Sequence, residues 1–199
     1  MTPPIFVFDM EWTTWEGAQA RGWSGPGETM EVVQIGAIRL ERDTNGLAET
    51  AALSLLIRPR INFILSAYFI DLTGITQAEL DAGGVPLAQA LDAFTRFVGD
   101  DGAIWSNGGD ETILQANCHL EGLTLALEEN RFQDGHPLLI ASTGLPSAQL
   151  VSADLPALMG TAAPADGRRH DALDDARALA GALARIGAFG PPCGLTFTT

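Results

Sequence analysis

Lysine is absent from this chain. All 11 basic residues are arginines, they face 25 acidic ones, and the net charge is −14. Such a surface repels polyanions at long range, which argues against a protein that grips many phosphates of a duplex. It leaves room for one that handles a single strand end, with metal ions cancelling the local charge. Most of the 25 carboxylates are ordinary solvated surface. Cysteine is scarce as well. Cys118 and Cys193 form neither a metal-type spacing nor a disulfide framework. No apolar run approaches the roughly 18 residues of a membrane span, so no membrane partner is expected. The opening MTPPIFVFDM lacks a charged n-region and a cleavage pattern, which sets the expectation of a cytoplasmic protein. Internal repeats and low-complexity segments are missing too.

What remains is a chain of 199 residues, enough for one domain with a sizeable core. Residues 1–187 read as that domain. Gly190-Pro191-Pro192 marks 188–199 as a terminal tail.

The stretch His170 to Arg177 opens an Ala/Leu-rich helical segment that runs to about Ile186. Were His170 and Asp175 both inside that helix, they would point about 140° apart at about 100° per residue. Placing His170 on the loop before the helix removes the difficulty. Asp171 is then the N-cap and Asp174 the third helical residue, an acidic pair suited to the positive end of the dipole. Asp175 begins the face continued by Leu179, Ala182 and Ile186, so a carboxylate tops an apolar stripe. Taken alone, the stretch reads as a well-capped surface helix.

Ile5 to Glu11 is a short apolar run rich in Ile, Val and Phe, and it reads as a strand. Residues two apart share a strand face, so Asp9 and Glu11 project together with Ile5 and Val7 behind them. Two carboxylates that close repel unless a cation lies between them, and oxygen ligands favour Mg²⁺, Ca²⁺ or Mn²⁺. By itself an Asp-x-Glu is also what a solvated strand end looks like.

Thr13 to Thr29 is a Gly-rich connector that holds Trp15, Arg21 and Trp23, with Trp12 at its mouth. Connectors of this length are usually functional or disordered. Tryptophans there stack bases or pin the loop to the body, and pinning is the expectation for Trp15 and Trp23. Glu31 to Glu41 and Ala51 to Arg58 read as paired strands joined through the turn signal Asp43-Thr44-Asn45-Gly46. Thr76 and Glu79 have capping-box spacing for a short helix. Pro86 to Val98 is an amphipathic helix with Leu87, Ala90, Leu91, Phe94 and Phe97/Val98 on its apolar face. Ala103 to Trp105 is a short strand that turns through Ser106-Asn107-Gly108-Gly109 into a helix over 110–120. Asp110 therefore stands at a strand-to-helix junction, where open α/β sheets place ligands, unless it simply caps the helix. His136 to Ala141 reads as a last strand, and Ser152 as the cap of a helix through Leu158.

Asp9-x-Glu11 on a first strand, Asp110 after a middle strand, and His170 five residues before Asp175 resemble the three motifs of the DnaQ-like, or DEDDh, 3′–5′ exonucleases. EVVQIGAIRL is similar to that family's second strand, and LTGIT to the segment before its first helix. The resemblance covers Ile5 to Ile186. The Trp/Gly-rich insert and the lysine-free, acidic surface depart from the family pattern and bear on the substrate.

The resemblance implies an α/β, ribonuclease-H-like fold: a mixed five-stranded sheet flanked by helices. It implies that Asp9, Glu11, Asp110 and Asp175 bind two Mg²⁺ or Mn²⁺ ions. Two such ions about 3.5–4 Å apart serve the attacking and leaving oxygens of a phosphodiester. His170, with an ordinary pKa of about 6.5, would be general base for the attacking water, and Glu11 would bridge water and metal. The backbone from Met10 to Trp12 would lie against the terminal nucleotide, with Trp12 as a stacking partner. Arg168 and Arg169 would hold the scissile or adjacent phosphate, or else be flanking surface charge. Arg58 and Arg60 read as a solvated pair, and His119 and His136 as structural. The implied partner is a single-stranded RNA or DNA 3′ end, released as nucleoside 5′-monophosphates. A catalytically silent binding module and a metal-dependent phosphodiesterase of small nucleotides are the alternatives.

Overall fold

The computed structural model describes residues 3–42, 44, 46–163, 169–191 and 194–197. At its centre is β1 (Ile5–Trp12), whose residues from Phe6 to Met10 are all buried. A strand covered on both faces must be apolar on both, and this explains a continuous run in place of an alternation. An antiparallel meander follows through β2 (Val32–Arg42) and β3 (Gly46–Leu56). After the helices α1 (Ala67–Thr73), α2 (Gln77–Gly83) and α3 (Leu87–Val98), strand β4 (Ala103–Ser106) pairs parallel with the other side of β1. Then come α4 (Asp110–Glu121), β5 (Phe132–Asp134), α5 (His136–Thr143), α6 (Leu155–Met159), α7 (Ala172–Arg185) and β6 (Gly194–Thr196). The strand order is β5-β4-β1-β2-β3-β6.

Helices cover both faces. Phe6, Phe8 and Met10 of β1 pack with Leu91, Phe94 and Val98 of α3 and with Leu114 and Cys118 of α4. Val7 of β1 and Ile38 and Leu40 of β2 pack on the opposite face with Ala176, Leu179 and Leu183 of α7, and with Leu139 and Leu155. Each such large side chain contributes about 1.5–3 kcal/mol through burial. The alternation along β1 decides the site: Asp9 and Glu11 share the face of Val7 and so point toward α7.

Local expectations hold in several places. The Thr76–Glu79 capping box is present in full. Leu87, Ala90, Leu91, Phe94 and Val98 are the buried residues of α3.

Three expectations about the strands fail. Among the described residues the sheet has six strands, because Gly194–Thr196, inside the stretch read as a tail, pairs parallel with Gly46–Ala48 at the open edge of β3. The segment from His136 is helical, and the strand on that side is the shorter Phe132–Asp134 beside β4. Pro137 in the first turn suits a helix start, and Gly144 in the left-handed region ends the helix. The apolar run between them carries no period that separates strand from helix. The strand expected from Ala51 begins at Gly46, extending the hairpin almost to its turn, where Asp43 and Asn45 lie outside the described residues. Among the described residues, no helix is long and apolar enough to cross a membrane.

Candidate active site

The β1–β2 register sets Asp9 opposite Gly36 and Glu11 opposite Gln34. Both partners on β2 serve the start of α7. Gln34, buried among the apolar residues of the Val32–Ile38 part of β2, accepts the backbone N–H of Ala172 at 3.0 Å and donates to Asp171 Oδ2 at 3.0 Å. Asp171 is the N-cap, its Oδ1 accepting from the N–H groups of Leu173 and Asp174 at 3.1 and 3.3 Å. Gly36 lets the helix come down: a Cβ there would stand 2.1 Å from the Leu173 nitrogen. The first turn of α7 thus rests on sheet backbone beside Asp9, and Asp175 is buried at the same place.

His170 sits just before this cap, in the left-handed region at φ 57°. Non-glycine residues are uncommon there and cluster at functional sites. Ligand atoms of Glu11, His170 and Asp175 all lie within 4.8 Å of one another. Asp9 and Asp110 are outside that trio but coupled to it through their charges. Asp110 is the first residue of α4, and Gly109, not Asp110, is the N-cap. Its carboxylate is therefore not engaged in capping, and its Oδ2 is buried with no hydrogen-bond partner among the described residues.

The carboxyl groups respond to this crowding. Burial and then the neighbouring charge of Asp134 push Asp110 up to about 8. Burial, then Asp9, Asp171 and Asp174, push Asp175 up to about 8, with Arg169 opposing. Asp9 is raised well above the carboxylate range by burial and by Asp110, although hydrogen bonds from Ser152 and the Met10 backbone pull it partly back. Glu11 is raised well above its usual value by burial, then by Asp9, Asp175, Asp171 and Asp110. His170 is lowered, first by burial and then by Arg169, with Asp154 opposing. Acids that must otherwise keep their protons, and one orphaned buried oxygen, are what a bound cation relieves. Asp9, Glu11, Asp110 and Asp175 offer the hard oxygen donors that Mg²⁺ or Mn²⁺ takes.

The substrate-side residues are less concentrated. Met10 buries its side chain against α3 and α4, so it faces away from Asp9 and Glu11 and can offer the site only its backbone. Trp12 is half-buried, and the Trp23 ring lies against it at a centroid distance of 6.4 Å. Trp23 also donates from Nε1 to the Thr13 carbonyl at 3.3 Å, so it pins the connector. Arg169 is paired with Asp154. Arg168 lies outside the described residues. Arg58, Arg60 and His119 are exposed.

Two residues at the site escape a reading of the sequence. Ser152 does not cap the helix after it; its hydroxyl lies 3.3 Å from Asp9 Oδ1. Asn107, in what looks like a plain turn, donates to Ser152 Oγ at 3.0 Å. Nothing local marks either, because their partners lie 143 and 45 positions away.

Over residues 6–183 the chain matches the RNase_T family, described as an exonuclease family. The chain belongs to this family of DnaQ-like exonucleases. The ribonuclease-H-like fold of this family recurs in solved structures. The nuclease domain of 3′hExo, a DEDDh family member bound to rAMP, is 22% identical, with 96% of this chain and 94% of that one covered at a TM-score of 0.76. A 3′-exonuclease solved in recognition of histone mRNA stem-loop is 20% identical, covering 90% and 63%, at 0.69. E. coli Exonuclease I in complex with a dA16 oligonucleotide is 16% identical, covering 96% and 42%, at 0.67. Identities this low speak for the fold alone. This DnaQ-like chain spans nearly all of the 3′hExo nuclease domain but less than two-thirds of the longer enzymes. No curated protein matches the sequence.

Proposed function

We propose that this DnaQ-like protein is a metal-dependent 3′–5′ exonuclease that removes nucleoside 5′-monophosphates from single-stranded RNA or DNA ends. The observation that carries the reading is the buried set Asp9, Asp110 and Asp175 with Glu11 and His170 at its lip, one oxygen of Asp110 lacking a hydrogen-bond partner among the described residues. When bound, two Mg²⁺ or Mn²⁺ ions supply the charge that the attacking and leaving oxygens of a phosphodiester need. Asp9, Glu11, Asp110 and Asp175 would hold them.

The rest falls to the chain's own groups. An imidazole nitrogen of His170 accepts the proton of the attacking water, and its lowered pKa keeps it neutral for that task near pH 7. The water oxygen joins the last phosphorus as the bond to the preceding 3′ oxygen breaks, and that oxygen takes a proton from solvent and leaves as a hydroxyl. The Met10–Trp12 backbone lies against the terminal nucleotide, with the Trp12 ring as stacking surface. Arg168 and Arg169 hold a phosphate, for which Arg169 exchanges Asp154 for substrate. We assign the activity to residues 1–187, to whose sheet Gly194–Thr196 adds the edge strand beside β3.

The test is single-stranded RNA and DNA labelled at either end, incubated with Mg²⁺, Mn²⁺ or EDTA. The 3′ label should appear as mononucleotide from the first time point, the 5′ label should give a ladder shortening from the 3′ end, and EDTA should stop both. Turnover confined to mono- or dinucleotides would favour a small-nucleotide phosphodiesterase, which the net charge of −14 would suit. Oligonucleotide binding without cleavage would leave a silent module.

A further inference from the structure

Ser152 reaches the candidate metal site, and the direction of its one proton is settled by residues behind it. Ser152 Oγ lies 3.0 Å from Asn107 Nδ2 and 3.3 Å from Asp9 Oδ1. The same Asn107 amide nitrogen donates to the Leu150 carbonyl at 2.9 Å, so both of its protons are placed. Turned over, the amide would set its oxygen against that carbonyl, acceptor against acceptor. With the amide fixed, Asn107 Oδ1 faces His136 Nδ1 at 2.7 Å, so that nitrogen carries a proton. His136 Nε2 in turn meets the Ser147 hydroxyl at 2.8 Å. Since Ser152 Oγ accepts from Asn107, its own hydrogen is left for Asp9. Donation therefore runs from His136 to Asn107 to Ser152 to Asp9, with no link reversible alone.

We infer that Asn107 and Ser152 are positioning residues for Asp9: they occupy Oδ1 and hold the carboxylate so that Oδ2 is the oxygen offered to a cation. The inference rests on the metal-dependent reading above. A carboxylate torsion is broad and two-fold, so the orientation of Asp9 beside the like charge of Asp110 rests on its hydrogen bonds, those from Ser152 and from the Met10 backbone. The chain of bonds also spans separate segments. Asn107 follows β4, His136 begins α5, Leu150 and Ser152 precede α6, and Asp9 lies on β1. Partners of this kind behind metal ligands typically change affinity by about 10–100-fold when removed.

The experiment uses the full chain. Mn²⁺ binding is followed by electron paramagnetic resonance without nucleic acid, beside the metal dependence of oligonucleotide cleavage and melting in EDTA. Ser152→Ala should raise the Mn²⁺ dissociation constant about tenfold. The oligonucleotide KM at saturating metal should stay unchanged, and melting in EDTA should shift by no more than about 2 °C. Asn107→Ala should act in the same direction, and the double variant should bind no more weakly than the weaker single one, as expected for residues acting in one line. A merely structural tie would lower the melting temperature and leave Mn²⁺ affinity alone, and that result overturns the inference. So does a wild type that binds no Mn²⁺. If Asn107→Ala does not fold, Ser152→Ala decides by itself. A wild type that binds Mn²⁺ but cleaves nothing sinks the exonuclease reading, while the affinity comparison still judges the positioning.

Discussion

Gly36 and Ala172 meet where any side chain would forbid it: a Cβ on Gly36 would stand 2.2 Å from the Ala172 carbonyl carbon. Asp9 lies opposite Gly36, so this contact sets how closely Asp175 and His170 approach β1. Gly36→Ala should push the start of α7 off the sheet. Overpacking of this kind costs about 1–3 kcal/mol, and a misplacement of about 1 Å can cost about 10²-fold in rate. Melting and single-turnover cleavage of the variant check both. Wild-type values in each would mean that α7 is held elsewhere.

The raised carboxyl groups predict how metal and pH interact. Unfolded, Asp110 and Asp175 titrate at an ordinary 3.8; folded and metal-free, they titrate at about 8. Their folded values lie above their unfolded ones, so the stability they contribute is complete below the unfolded value and is lost as pH rises through about 8. Cations take over from these protons. The melting-temperature gain from Mg²⁺ or Mn²⁺ over EDTA should therefore be small at about pH 5 and largest at about pH 8. Scanning fluorimetry across that range gives the answer, and a gain indifferent to pH would contradict the assignment.

Removing a ligand should separate function from stability. Asp175→Ala or Asp110→Ala should lower cleavage by about 10³-fold or more, on the order of 4 kcal/mol of barrier. In EDTA at about pH 8 each should melt no lower than wild type, because a carboxylate that burial and neighbouring charge destabilise is gone. Either variant cleaving at near-normal rates would show that its carboxylate is not needed.

The parts of this site that depend on short-range chemistry were legible in the sequence. Asp9 and Glu11 share a face because a strand has period two. Asp171 caps α7 because aspartate accepts the N–H groups that a helix start leaves open, and that cap puts His170 on the preceding loop. What could not be read depends on distant backbone. Gly36 looks like any small strand residue until α7, 136 positions later, lands on it. Gln34 has its partner 138 positions away at Ala172. Ser152 has the sequence of a helix cap, yet β1 claims its hydroxyl. Strand β6 forms because β3 has a free edge, and three residues carry no period that would announce it.

His170 gives the sharpest case. It precedes the helix in a left-handed conformation and lies within 4.8 Å of the ligand atoms of Glu11 and Asp175. A base and a metal ligand could both stand there, and alanine tells them apart. As a base, His170→Ala should lower the turnover rate by about 10²–10⁴-fold and leave Mn²⁺ affinity nearly unchanged. Burial and Arg169 hold the imidazole below its ordinary 6.5, so the wild-type rate should climb through a limb centred below that value and then level off. The sign follows from the neutral form being the one that accepts a proton. The variant should lack this limb. A His170→Ala protein that no longer binds Mn²⁺ would make the residue a ligand, and one with wild-type turnover would leave the third motif without its catalytic base.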